Sequence, residues 1–226
     1  GFLPEIIGTS FDASLAVGLK GTTAGFSWDA SVENGNNYFR FNLANTLNPT
    51  YGLASQKKFY AGSLNSNQFT VNLDASRSLS LGLAKPANLG IGLEARRDKY
   101  NIYEGEAASY SDGGQRIVDG PSAGRPAITG SQLFFGFRPL DYTNATRSSY
   151  AGYVDFEQQV GSRLTLGAAG RAENFSDFGG TTIGKLTGRV QLVPDKLAIR
   201  GALNTGFRAP SLAQINYSAS ASNVLV

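Results

Sequence analysis

The stretch Phe11-Asp12-Ala13-Ser14-Leu15-Ala16-Val17-Gly18-Leu19-Lys20 decides the fold class. Its odd positions are apolar and its even positions are small, polar or charged. A β-strand sends successive side chains to opposite faces, so this rhythm builds one oily face and one wet face. The same period recurs at 25–33 (Phe26, Trp28, Ala30, Val32), at 68–76 (Phe69, Val71, Leu73, Ala75) and from Asn88 to about Tyr103 (Leu89, Ile91, Leu93, Ala95). It returns at 148–160, 163–173, 182–192 and 196–204, giving eight predicted strands.

The predicted connections alternate in length. Short ones fall at 20–24, 160–162 and 193–196, with a moderate one at 77–87; the opposite end has long ones at 34–67 and 104–147 and a moderate one at 174–181. Tight turns on one side and long loops on the other are the pattern of an up-and-down transmembrane barrel, whose longer loops are external. Parity settles Tyr38–Leu43, which also alternates. Counting it as a full crossing would move 104–147 to the short-turn side, so it is expected above the membrane, as an extension or hairpin within the 34–67 loop.

Composition agrees with an all-β wall. Only 41% of the 226 residues are hydrophobic, and no apolar run approaches the ~20 residues of a spanning helix, whereas a barrel strand needs only ~9–11. The net charge of +3 is spread along the chain, with no nucleic-acid footprint. Without Cys or His, disulfides, thiolate sites and His-dependent catalysis are excluded. The chain starts Gly1-Phe2-Leu3-Pro4, contains no Met, and ends in the small-residue run Ser218–Ser222 and Asn223–Val226; this reads as a piece of a larger protein, with 1–226 as one partial barrel domain.

The face opposite the apolar one carries Glu94, Arg96, Glu157, Arg171, Glu173, Lys185, Arg189 and Arg200 among Gly and Ala. Mixed charges beside small residues fit a hydrated lumen or a polar plug, and equally an ordinary solvated face. Gly90-Ile91-Gly92-Leu93-Glu94-Ala95 fits a dinucleotide fingerprint and Gly179–Leu186 nearly fits a phosphate loop, but both lie in strand rhythm with no helix to follow. No cofactor or metal is expected. Asp155 and Glu157 share a strand face, where lumen electrostatics is a better account than glycosidase chemistry. In the 104–147 loop, Tyr110, Phe134, Phe135 and Tyr142 are candidate ligand contacts, since exposed rings stack on planar or sugar ligands. They also have the chemistry to pack the loop, together with Phe137.

Several segments resemble the TonB-dependent receptors of Gram-negative outer membranes. They include Tyr150–Glu157, Gly170–Gly179, and above all Asn204-Thr205-Gly206-Phe207-Arg208-Ala209-Pro210-Ser211-Leu212-Ala213-Gln214. Gly1–Ile6, Asn45–Asn48 and Gly105–Tyr110 are similar to the family as well. The resemblance implies an outer-membrane barrel of about 22 strands closed by an N-terminal plug. Such a receptor is not an enzyme. It binds a scarce nutrient (siderophore, vitamin or carbohydrate) and imports it into the periplasm when the TonB complex pulls on the plug. The implied partners are outer-membrane lipid, the plug of the same full-length chain, TonB through the missing N-terminal part, and the small-molecule nutrient. Arg208, beside Pro210, is expected to anchor its loop by hydrogen bonds. The rival readings are a secreted, soluble all-β adhesin or carbohydrate-binding domain, whose apolar faces would pack together, and a barrel-embedded hydrolase, which the lack of His and Cys disfavours.

Overall fold

The computed structural model describes residues 3–83, 85–194 and 196–221. Gly1, Phe2, Asp195 and the terminal run from Ser222 to Val226, which figure in the readings above, lie outside the described residues. Eight strands form one antiparallel sheet in chain order: β1 (Glu5–Thr23), β2 (Phe26–Ala44), β3 (Phe59–Leu79), β4 (Ala87–Tyr103), β5 (Thr143–Val160), β6 (Leu164–Phe175), β7 (Gly179–Val193) and β8 (Leu197–Asn204). Every strand pairs with its sequence neighbour, and the sheet is open, with β1 and β8 at its edges. The expected up-and-down wall of about eight strands is thus the observed one.

Local chemistry sets the turns. Ala24 and Gly25 both have positive φ (51° and 78°), and Thr23 pairs with Phe26. A two-residue turn of that hand matches the right-handed strand twist, and Gly adopts it without steric cost. At the other end of the chain, Pro210-Ser211-Leu212-Ala213-Gln214 opens a short helix, α1 (Leu212–Asn216). The Gln214 N–H donates to Ser211 Oγ (3.2 Å) and the Ser211 N–H donates to Gln214 Oε1 (2.8 Å). This reciprocal pair satisfies two helix-end donors.

Register fixes the two faces, because residues directly opposite in a sheet share a face. One row reads Lys20, Asp29, Asp74, Gly92 and Tyr153; another reads Glu33, Thr70, Arg96, Ser149 and Phe175. The other face carries Leu15, Leu93 and Leu203, which are 69%, 62% and 77% exposed. Nothing among the described residues covers that apolar face. The packing of apolar faces against one another that the soluble reading expects is not present among the described residues.

Three connections differ from expectation. Residues 34–44 and 59–67 belong to β2 and β3, so the first long loop shrinks to 45–58. The segment Tyr38–Leu43 is indeed an extension, as the continuation of β2 itself, paired with β1 and β3. Residues 143–147 belong to β5, and 176–178 is a tight turn rather than a moderate loop. Strands of up to 21 residues exceed the ~9–11 that a tilted bilayer crossing needs, and the excess lies at the long-loop end of the sheet.

That end holds the only compact core among the described residues. Tyr100, Ile102, Phe137 and Leu212 form one buried cluster, and Leu43, Phe59 and Ala61 form a second beside it, with Phe41 and Phe134 packed against both. The two long loops are stitched into a cap. Fully buried Asn48 donates through Nδ2 to the carbonyls of Ala108 and Ser111 (2.9 Å each), the Gln115 N–H donates to Thr50 O (2.9 Å), and the Phe137 N–H to Ala61 O (2.9 Å).

Candidate functional site

All eight charges singled out in the sequence share the polar face. Glu94 and Arg96 lie on β4, Glu157 on β5, Arg171 and Glu173 on β6, Lys185 and Arg189 on β7, and Arg200 on β8, and the rows through Ala151, Tyr153 and Asp155 on β5 connect them. The Arg171 Nη2 group reaches Glu94 Oε1 at 3.1 Å and Glu173 Oε2 at 3.2 Å. Glu94 and Glu173 sit on strands that do not touch; between them β5 presents Ala151, whose small side chain lets the ion pair pass over it. The same device recurs one row away. Tyr153 Oη donates to Asp74 Oδ1 at 2.6 Å, from β5 to β3, directly over Gly92. A Cβ on Gly92 would collide with Cε1 of the tyrosine ring and with the carboxylate. The glycine of the dinucleotide-like pattern is therefore clearance for a ring, inside a strand. The Gly179–Leu186 pattern likewise lies within β7.

Arg189 stands directly opposite Arg200, and like charges in register repel. With Lys185 they line a recess of about 540 Å³ whose other wall carries Asp155 and Glu157. No ion pair joins these groups among the described residues, and the three cations outnumber the two carboxylates on this part of the polar face.

Nearer the cap the polar face encloses a larger recess of about 760 Å³. Asp12, Asn37, Gln68, Arg96 and Asp98 line one side and Arg208 and Ser211 line the other. Asn37 Nδ2 donates to Asp12 (2.6 Å) and Gln68 Nε2 to Asp98 (2.9 Å). Arg96 Nε lies 3.3 Å from Asp98 as an ion pair, out of line for a hydrogen bond. The roof is the chain after β8, residues 205–217, which folds back across the sheet so that Leu212 packs with Tyr100 and Ile102 of β4. The strap is pinned by Arg147, which is 3% exposed. Its Nε and Nη2 donate to Asp177 Oδ2 at 2.8 and 2.6 Å, and its Nη1 donates to the Pro210 carbonyl at 2.7 Å. Phe175 and Phe178 stack at 4.4 Å, with Phe207 beside them and the guanidinium over both rings.

Arg147 thus does what the sequence reading assigned to Arg208. Arg208 is exposed and makes no hydrogen bond among the described residues, because the anchoring donor approaches the Pro210 carbonyl from β5. Arg147 went unnoticed because it precedes the apolar rhythm by which β5 was recognised; the only signal was its polar-face parity with Ser149.

The four aromatic candidates are not brought together, and none lines either recess. Phe134 stacks on Phe41 (5.1 Å) and meets Phe137 edge-on (5.6 Å), so it is part of the cap's core. Phe135 packs over Gly130 beside Arg138. Tyr110 is half-buried, and burial together with nearby Glu104 pushes its hydroxyl pKa up. Tyr142 is 53% exposed and meets Tyr103 edge-on, on the outward side of the wall.

The family model described as TonB dependent receptor-like, beta-barrel matches residues 7–224. The chain belongs to this family. It is a family of receptors and transporters rather than of enzymes. In a transmembrane barrel the apolar face meets lipid and the polar face the interior, and the sheet here has one face of each kind. Among solved structures, the siderophore receptor PirA from Pseudomonas aeruginosa matches with a TM-score of 0.48 and 16% identity, over 90% of this chain and 34% of that one. The chain thus spans about a third of that receptor's length. A search of curated proteins finds no match.

Proposed function

We propose that this chain is a section of the barrel wall of an outer-membrane TonB-dependent receptor that binds a scarce nutrient and imports it into the periplasm. The observation that carries the reading is the division of one sheet into an uncovered apolar face and a continuous polar face, roofed at its long-loop end by an ordered cap. A nutrient of the siderophore, vitamin or carbohydrate class would meet the cap first. Of the loop aromatics, Tyr110 and Tyr142 keep ring surface available for it, while Phe134 and Phe135 shape the cap. The plug of the full-length chain would lie against Glu94, Arg171 and Glu173, and supply carboxylates to the unpaired cations Lys185, Arg189 and Arg200. TonB would act through that plug.

The test is fractionation of the source cells with an antibody to residues 104–142. The expected result is an outer-membrane band far heavier than a 226-residue chain, with the antibody also binding intact cells, and uptake of a labelled nutrient that stops when TonB is deleted. A soluble band of this chain's own size would overturn the reading.

A further inference from the structure

We propose that Asn34 is a site of spontaneous modification, silent while β2 is paired and active in the unpaired chain, where its conversion blocks later pairing. Asn34-Gly35 is the only Asn-Gly pair in the sequence, and it lies midway along the 19-residue strand β2. Asparagine is most labile when glycine follows it, because glycine has no side chain to shield its backbone nitrogen. Packing does not account for this glycine. Gly8, Gly21 and Gly92 each lie under an aromatic ring of the neighbouring strand. A Cβ built on Gly35 meets nothing within 4 Å, and its φ is not in the left-handed range. A glycine in a strand interior weakens the strand, so its presence here calls for another account.

The chemistry is a loss of ammonia followed by hydrolysis. The Gly35 nitrogen bonds to Cγ of Asn34, and the side-chain nitrogen leaves as ammonia, carrying the proton of that N–H. Water then opens the cyclic imide at one of its two carbonyls. One product is an aspartyl residue. The other is an isoaspartyl link, in which the main chain runs through Cβ and Cγ and gains one atom. Pairing opposes the first step. Gly35 sits in an unbroken ladder between Ser14 of β1 and Gln68 of β3, so its N–H is held by a neighbouring strand. Ring closure also needs Asn34 to leave the extended conformation that both pairings impose. Asn67 clamps the dipeptide directly: its Nδ2 donates to Asn34 Oδ1 (3.2 Å) and to the Gly35 carbonyl (3.0 Å). The unpaired chain has none of these restraints. An isoaspartyl link at position 34 moves residues 35–44 out of step with β1 and β3 together, including Phe41 and Leu43 of the cap's core. The aspartyl product places a carboxylate in the row between Leu15 and Phe69, two exposed apolar side chains.

The test uses the full-length receptor, held unfolded in urea or folded in detergent micelles. Deamidation is followed residue by residue by peptide mass mapping, and isoaspartate by enzymatic methyl labelling. In urea, Asn34 should convert ahead of every other asparagine, and G35A should remove that lead. The added methyl enters open space, so G35A should fold as well as the unaltered receptor. In the folded receptor Asn34 should stay intact over the same period. N67A should raise its rate there about 5- to 150-fold, the factor for two ordinary hydrogen bonds, without changing the rate in urea. Refolding is scored by the heat-dependent gel shift of a closed barrel, and chains carrying isoaspartate at position 34 should be missing from the shifted band. Three results each overturn the proposal: equal conversion of Asn34 in folded and unfolded receptor, an unchanged rate for G35A in urea, or isoaspartyl chains in the shifted band in proportion to their share. Fresh receptor that gives no shifted band overturns the barrel reading instead, while the comparison of G35A with the unaltered chain in urea still decides the site.

Discussion

Replacing Arg147 with Ala should release the 205–217 strap while leaving the sheet beneath it paired. Arg147 is almost fully buried, and its guanidinium links three separate pieces of chain: β5, the 176–178 turn and the strap. The strap's share of this arrangement is the hydrogen bond from Nη1 to the Pro210 carbonyl. Hydrogen bonds from a charged donor contribute about 1.5–3 kcal/mol. Loss of that bond converts to about a 10- to 150-fold rise in the population of the opened strap. Leu212 continues to hold the strap by its burial against Tyr100 and Ile102, so opening increases without becoming complete. The assay is amide hydrogen exchange. Within α1 and just after it, the Ile215 N–H donates to Ser211 O and the Tyr217 N–H to Ala213 O, and both amides should exchange faster by that factor. Central β3 and β4 amides should be unchanged. The variant R147K keeps the charge but cannot serve Asp177 through two nitrogens and Pro210 through a third, so it should fall near R147A. Unchanged exchange at Ile215 and Tyr217 in a folded R147A barrel would refute the pinning role.

Leu93→Arg places a charge at the middle of the apolar face and should cost about 2–4 kcal/mol of membrane assembly, read from the urea midpoint of the heat-shifted band, whereas Leu140→Arg in the exposed cap should be neutral. Gly92→Leu should destabilise by about 1–3 kcal/mol, because the new side chain collides with the Tyr153 ring and Asp74; pairing it with Tyr153→Ala should recover part of that loss in the same unfolding assay. In the cap, burial and nearby Asp141 raise the pKa of Tyr217 above its ordinary 10.0, as burial and Glu104 raise that of Tyr110. A phenol with a raised folded pKa stabilises fully below the unfolded value and loses that contribution as pH rises through the folded one. Cap amides should therefore begin to exchange faster only above about pH 10, in step with late tyrosinate absorbance; loosening well below that pH would contradict it.

The strands were legible wherever lipid contact imposes contrast between faces. On β2 the outward residues pass from Val32 to Asn34 and Asn36, and from Tyr38 the alternation returns inverted, with Phe41 and Leu43 on the inner face in the cap's core while the backbone pairing continues to Ala44. The apolar face thus changes sides above Val32, so the alternation of 38–43 is out of phase with the rest of β2 and parity assigns it to the long loop, and 59–67 and 143–147, which lack the outward apolar rhythm, read as loop. That Glu94, Arg96, Arg171, Glu173, Lys185, Arg189 and Arg200 share one polar face was legible because parity alone assigns a face. Their partners were not: that Arg171 meets Glu94 across an intervening strand depends on Ala151 being small and in register, which needs the pairing. The loop rings illustrate the same limit. Nothing local distinguishes Phe134, which stacks on Phe41, from Tyr142, which stays exposed, since the difference is set by contacts from residues far away in sequence.

The ties over Gly92 and Ala151 run across the strands: Asp74 and Tyr153 share a row with Gly92, and Arg171 reaches diagonally from that row to Glu94 in the row of Ala151. In a closed barrel, whose strands tilt by about 35–45° to the axis, that direction runs obliquely around the wall. Asp74–Tyr153 and Glu94–Arg171–Glu173 therefore behave as hoops on a cask, taut when the wall is pushed outward and slack when something slides along its axis. In the proposed receptor, a plug drawn along the axis would leave these ties in place while they resist widening of the bore.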